Sequence, residues 1–492
     1  MRRSRKPLST FVGSRVRISL SPQCKINSTM SILLKRCQII SAEDNSFADI
    51  LIENEKITAI QPNLNIEAEK IIDANDFYVI PGGIDVHTHL DMPLGNIKSS
   101  DNFETGTIAA AFGGTTSILD FATQSRGMKI YNAFELWMKK AEGNSVIDFG
   151  FHMIVTSLND DDLYDLKKIL QHGVTSIKLF MAYPGVLMVD NKTILNALEF
   201  ARDNGALICL HAEDGNEIEK NIQRYIVNGN TGPEFHVSSR PAITESTAVE
   251  YAINLAKQAR SPIYIVHLST ADALNKIIEA RKNQIPIYAE TCPQYLFCSL
   301  DDLNKRGFEN AKYVFTPPPR EKWNQEKLWE GIQNNFIQII STDHCPFNLV
   351  GQKEIGKNDF TKIPNGCPGI ENRIQLLFDE GVNKGRISLN KWVEIISTNP
   401  AKMFGLYPRK GTIEVGSDAD IVIWNPKKEN IISAKTHHMA VDYNLYEGRK
   451  VIGDVEFVIS RGEVIIENNK FVGKKGRGVF LKRNKIQSLG NK

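Results

Sequence analysis

The chain has 492 residues, 42% of them hydrophobic, and a formal net charge of +2, enough length for a large core plus an appended domain. Seven Lys/Arg and no acid fall in residues 1–29, which leaves 52 Lys/Arg against 57 Asp/Glu elsewhere; a body of net −5 lacks the basic footprint of a nucleic-acid binder. Seven scattered cysteines, an odd number, point to a reducing compartment rather than a disulfide framework, and no apolar run approaches the ~18 residues of a membrane span.

Residues 1–29 are rich in Arg and Ser and free of acid, the composition of an organellar transit peptide. They have no continuous apolar stretch of the secretory kind. The other reading is that translation starts at Met30, just before the first strand-like segment, and that the protein is cytoplasmic. Both readings set 1–29 aside from the fold as a basic extension.

Residues 30–80 read as short strands, with 48–52 and 56–60 flanking Glu53-Asn54-Glu55 in a hairpin pattern. From 81 to 404, apolar runs alternate with longer amphipathic segments. The runs are 82–89, 116–121, 150–155, 175–178, 207–211, 263–267, 286–291 and 337–344. Eight strands with helix-length spacers predict an α/β fold, a (β/α)8 barrel. Residues 405–470 return to strand texture, at 418–424 and again at 455–466 around an Arg461-Gly462 turn. This stretch is expected to pair with 30–80 in a small β-sandwich domain, leaving 471–492 as a C-terminal tail.

Chemistry gathers at the strand ends. His87, His89, Lys178, His211, His267 and Asp343 each lie at or near the end of an apolar run. In a barrel those ends surround one site. His87 and His89 are two apart on a strand, so both imidazoles face one side. Any one of these histidines taken alone reads as a core or surface residue with its hydrogen bonds satisfied. The set together points to a two-metal hydrolytic centre. Lys178 lies in an apolar run, and burial lowers a lysine's pKa and leaves a nucleophilic amine. Such an amine can capture carbon dioxide as a carbamate able to bridge two cations; the alternative is a packed stem with its ammonium in water. Asp343 is suited to bind metal and to shuttle a proton, against the alternative of a helix N-cap. Leu94, Phe180 and Leu187 are expected to line the pocket for a substrate substituent, against the alternative of ordinary core packing.

The chain resembles the cyclic amidohydrolases, in their dihydropyrimidinase/hydantoinase branch. The phrases that carry the resemblance include Pro81-Gly82-Gly83-Ile84-Asp85-Val86-His87-Thr88-His89, Lys178-Leu179-Phe180-Met181-Ala182-Tyr183, His211-Ala212-Glu213, Glu290-Thr291-Cys292-Pro293, Thr316-Pro317-Pro318-Pro319-Arg320, Ser341-Thr342-Asp343-His344-Cys345-Pro346 and Ile363-Pro364-Asn365-Gly366. It covers about residues 31–480. It implies that His87 and His89 bind one metal, that His211 and His267 bind a second, and that carbamylated Lys178 bridges them. Asp343 then completes the first site and acts as general base and acid, while Tyr183 donates to the oxyanion. Backbone groups at Thr316 and Asn365 hold the cyclic amide; the family more often has serine at the position of Thr316.

The implied cofactors are two divalent ions, zinc first with manganese or cobalt also compatible, and a CO2-derived lysine carbamate. The implied reaction is hydrolysis of dihydropyrimidines or 5-substituted hydantoins to N-carbamoyl amino acids by a metal-bridging hydroxide, in a homotetramer without nucleic-acid or membrane partners. The alternatives are an allantoinase, a dihydroorotase, or a non-catalytic scaffold of the same fold.

Overall fold

The computed structural model describes residues 30–303 and 307–486; the basic stretch 1–29 lies outside the described residues. Parallel strands covered on both faces read as continuous apolar runs. Leu207–His211, buried at all five positions, is one example. Eight such strands form one sheet: Gly83–Thr88, Thr115–Thr123, Asp148–Ile154, Ser176–Phe180, Leu207–His211, Ile263–Ile265, Ile287–Thr291 and Ile339–Ile340, each beside the next in chain order. Helices occupy the connections, so the middle of the chain is the expected parallel barrel.

Closure between the first and last strands combines side-chain bonds with a backbone bridge at Thr88 and His344. Arg373 Nη1 donates to Ile84 O at 3.1 Å and to Ile340 O at 2.8 Å, bridging both strands with one guanidinium. The Asp85 carboxylate accepts from Thr342 N at 3.1 Å and Thr342 Oγ1 at 2.6 Å. A backbone bond from His89 N to His344 O, 2.9 Å, completes the ring. The last strand is therefore two residues long rather than the expected 337–344, because Thr342 spends its hydrogen bonds on Asp85.

The helix Phe103–Phe112 begins in a capping box at Asn102 and buries Ala109, Ala110 and Ala111. Gly106 lets it pass Leu90, whose Cδ2 would lie 2.4 Å from any Cβ there.

Both ends of the chain share a second, nine-stranded sheet that is mostly antiparallel. Tyr78–Pro81 pairs with Ile421–Ile431, bringing Ser31–Ile40 and Lys450–Ser460 into one layer. Lys410, fully buried, ties this sheet to the barrel: its amine contacts Asp148 at 2.7 Å, Asp420 at 2.6 Å and Asp418 at 3.1 Å. The segment 472–486 runs under the barrel. Leu481 joins Ile84, Val86, Leu119, Leu207 and Phe404 in the core of its floor, and Arg483 Nη2 donates to Ser176 Oγ at 2.9 Å.

Candidate active site

The barrel mouth gathers the polar strand ends. His87 Nε2 lies 3.1 Å and His89 Nε2 3.3 Å from Asp343 Oδ1, and one ligand atom from each residue falls within 4.8 Å of the others. His211 Nδ1 and His267 Nε2 face each other at 2.8 Å. The rings of His87 and His267 are 5.4 Å apart, so the two pairs adjoin.

Lys178 lies close to both pairs. Its amine is 5.1 Å from the Phe121 ring and 5.0 Å from the Phe180 ring. Phe121 packs on His87 and His89, and Phe180 stacks on His211 at 5.2 Å. The side chain is 1% exposed, and burial pulls its amine down to about 8. Its neutral, nucleophilic form is therefore far more accessible near neutral pH than that of a free lysine.

Three of the side chains leave their strands through unusual backbone. Tyr183, His267 and Asp343 have φ of 65°, 39° and 52°. The left-handed region costs a non-glycine residue on the order of 1–3 kcal/mol and recurs at functional sites. Here it turns each residue just past a strand end, at the mouth of the barrel.

The electrostatics suit a cation. Burial alone would hold His87 neutral, but Asp343 and Glu290 outweigh it and push the imidazole up to about 9. Burial also works against ionised Asp343, yet the surrounding histidines keep it well below the usual carboxylate range. Burial keeps His89, His211 and His267 below the ordinary imidazole value, in the neutral form that binds metal. The Nδ1 atoms of His89 and His267 are buried without a hydrogen-bond partner. Three imidazoles held neutral, a fourth, His87, whose proton a cation would displace beside Asp343 and Glu290, and one carboxylate form a donor set that fits divalent metal.

Two acids orient the histidines from behind. His87 Nδ1 bonds Glu290, which also accepts from the Tyr264 hydroxyl at 2.8 Å. His211 Nε2 bonds Glu213 at 3.0 Å, and Arg320 stands 3.7 Å from the other oxygen of that carboxylate. Neither acid carries a role in the reading of the sequence. The available signal for Glu290 is its place in the run 286–291, beside the histidine-bearing strands. His344 is structural: Nε2 bonds Asp101 at 3.1 Å and Nδ1 accepts from Gly369 N at 3.2 Å.

The Tyr183 hydroxyl meets Thr316 and Asn365, and burial pushes its phenol up to about 12, so it remains a donor. Its ring lies 5.6 Å from His211. Phe180 and Leu187 pack in a cluster with Phe121, Ile154 and Tyr183. Leu94 is 42% exposed, on the hairpin formed by Pro93–Leu94 and Ile97–Lys98.

A parallel barrel with a separate β-sheet and a His–Asp cluster at the strand C-termini defines an enzyme of the amidohydrolase type. The chain belongs to the amidohydrolase family, which matches residues 78–465, and within it to the dihydropyrimidinase/hydantoinase branch. It is 49% identical to a D-hydantoinase of Geobacillus stearothermophilus over 94% of this chain and 98% of the relative. It is 48% identical to a D-hydantoinase of Streptomyces coelicolor, over 92% and 97%. The crystal structure of dihydropyrimidinase from Brevibacillus agri superposes with a TM-score of 0.92 at 49% identity, covering 93% of this chain and 99% of that one.

Proposed function

We propose that the protein hydrolyses a C–N bond in a cyclic ureide, a dihydropyrimidine or 5-substituted hydantoin, to give an N-carbamoyl amino acid. The observation that carries this reading is the His87–His89–Asp343 cluster next to the His211–His267 pair, with the Tyr183 ring 5.6 Å from His211. A hydroxyl donor and two peptide-bearing walls match a ring that presents both carbonyls and N–H groups.

His87, His89 and Asp343 would hold one divalent ion and His211 and His267 a second, zinc first, with manganese or cobalt also accepted by such donors. When bound, the ions activate water and polarise the scissile carbonyl. Lys178 would hold a carbamate, formed when its neutral amine adds carbon dioxide and releases a proton, and would supply anionic oxygen ligands to the site. Asp343 takes the proton of the attacking water and returns it to the leaving nitrogen. Tyr183 donates to the carbonyl oxygen as charge develops there. Thr316 and Asn365 hold the ring, and Phe180, Leu187 and Leu94 face its substituent.

A dihydroorotase would need a free cation for its substrate's carboxylate. Arg240 Nη1 donates to Ser239 Oγ at 2.9 Å, and Arg320 Nε donates to Ser269 Oγ at 2.9 Å. Each guanidinium nevertheless keeps a buried donor without a hydrogen-bond partner, Arg240 Nε and Arg320 Nη2, so the substrate panel decides between a neutral ring and dihydroorotate. We extend the reading to a homotetramer in the cytoplasm. Among the described residues no helix is long and apolar enough to cross a membrane. Ultracentrifugation tests the assembly. The function is tested by assaying dihydrouracil, hydantoin, allantoin and dihydroorotate side by side on metal-reconstituted protein. Turnover of the first two is expected; a clear preference for allantoin or dihydroorotate overturns the assignment.

A further inference from the structure

Lys353 is fully buried, yet its amine donates to two main-chain carbonyls, Val314 O at 3.0 Å and Pro364 O at 2.9 Å. The titratable groups that act on it are the thiols of Cys367 and Cys345. A lysine held this way is a costly space-filler, because an apolar side chain of similar size would bury without desolvating an amine. What the lysine supplies, and an apolar residue would not, is two hydrogen bonds to two separate chain segments.

Those segments are the two walls that meet Tyr183. Val314 stands two residues before Thr316, and Pro364 one residue before Asn365. The walls also touch directly, since Gly366 N donates to Val314 O at 3.0 Å. Gly366 has φ of +144°, and a Cβ there would fall 2.1 Å from Cys345 O, so this loop fits closely against the segment that follows Asp343. Lys353 thus joins the two walls through their carbonyls.

We infer that Lys353 is a positioning residue for the cyclic-amide subsite: its two hydrogen bonds fix the spacing of the Thr316 and Asn365 walls, and with it the fit of the substrate ring. The inference rests on the reading of Thr316 and Asn365 as substrate-holding. Burial pulls the amine down to about 7, but this leaves the arrangement intact, because the neutral amine still has two hydrogens to donate.

The test uses full-length, metal-loaded enzyme with 5,6-dihydrouracil and hydantoin. Lys353→Met keeps the stem and removes both donors. Lys353→Gln restores a donor for one carbonyl and guards against a methionine variant that does not fold. The expected result is a kcat/KM lower by about 10- to 100-fold in Lys353→Met, carried mainly by KM, with metal content unchanged and partial recovery in Lys353→Gln. A lower melting temperature with KM and kcat unmoved makes Lys353 a core residue only and overturns the inference. Failure of both variants to fold overturns it in the same way. Wild-type enzyme inactive on every cyclic ureide is a different failure, that of the functional reading beneath it.

Discussion

Glu290 accepts a hydrogen bond from His87 Nδ1, and that bond leaves His87 Nε2 facing Asp343 at 3.1 Å. The tautomer and the ring orientation are set together, because a carboxylate behind one imidazole nitrogen frees the other as a ligand.

Glu290→Gln should therefore weaken metal binding without dismantling the barrel. The amide can still accept from His87, but it lacks the charge that makes the imidazole a better ligand. Loss of such an outer partner typically costs about 10–100-fold in metal affinity or activity. Competition against a chelator reads the first and steady-state turnover the second. Wild-type values in both would show that His87 is oriented by other means.

Lys178→Ala should lose most of its metal and nearly all activity, since the amine lies beside Phe121 and Phe180, the rings that pack on the two histidine pairs. A short-chain carboxylate added in solution can supply the missing oxygens and restore part of both. Metal analysis with and without the additive checks this. Full activity in the alanine variant would rule out a bridging lysine.

Much of this arrangement was legible in the sequence because parallel barrel strands are apolar on both faces. Their ends therefore stand out, and Lys178 and His211 lie on strands where the apolar runs predict them. The closure of the barrel was not legible. Arg373 reaches Ile84 O across 289 positions of sequence, and nothing near Arg373 announces that contact. Nor does its own segment announce the burial of Lys353, which bonds Val314 O 39 positions before it and Pro364 O 11 positions after it. The segment 472–486 looks polar, yet Leu481 and Arg483 reach into the barrel floor. Two or three anchoring residues leave no periodic pattern.

Asp418 makes the link between barrel and sheet sensitive to acid. Burial opposes its charge, but Lys410, Lys56 and Arg409 outweigh burial and hold the carboxyl at about 2, below its usual 3.8. A depressed carboxyl stabilises the fold above its unfolded pKa, and that contribution is lost as pH falls from about 4 towards 2. The shift corresponds to about 2 kcal/mol at neutral pH. Asp418→Asn should lower the melting temperature at pH 7 and converge on wild type near pH 2. Thermal melts across pH 2–7 check this; parallel curves at all pH values would contradict it.

Asp343 and Tyr183 carry different roles in the proposed reaction and should separate kinetically. Asp343→Asn retains an oxygen ligand yet can neither take the water's proton nor return it to the leaving nitrogen. General acid–base transfer is typically worth about 10²–10⁴-fold, so turnover should fall to about one per cent or less even where metal is retained. Tyr183→Phe keeps the ring against His211 and removes one donor to the developing oxyanion. Such a loss commonly costs about 10²–10³-fold in kcat. Metal content should hold, because the hydroxyl's partners are Thr316 and Asn365 rather than the histidines. The effect belongs in kcat because the hydrogen bond strengthens only as charge develops on the oxygen. A rise in KM alone would make Tyr183 a substrate-binding residue. Wild-type rates in Asp343→Asn would move the proton transfer elsewhere, and His344 is a poor substitute, with one nitrogen bonded to Asp101 and the other to Gly369.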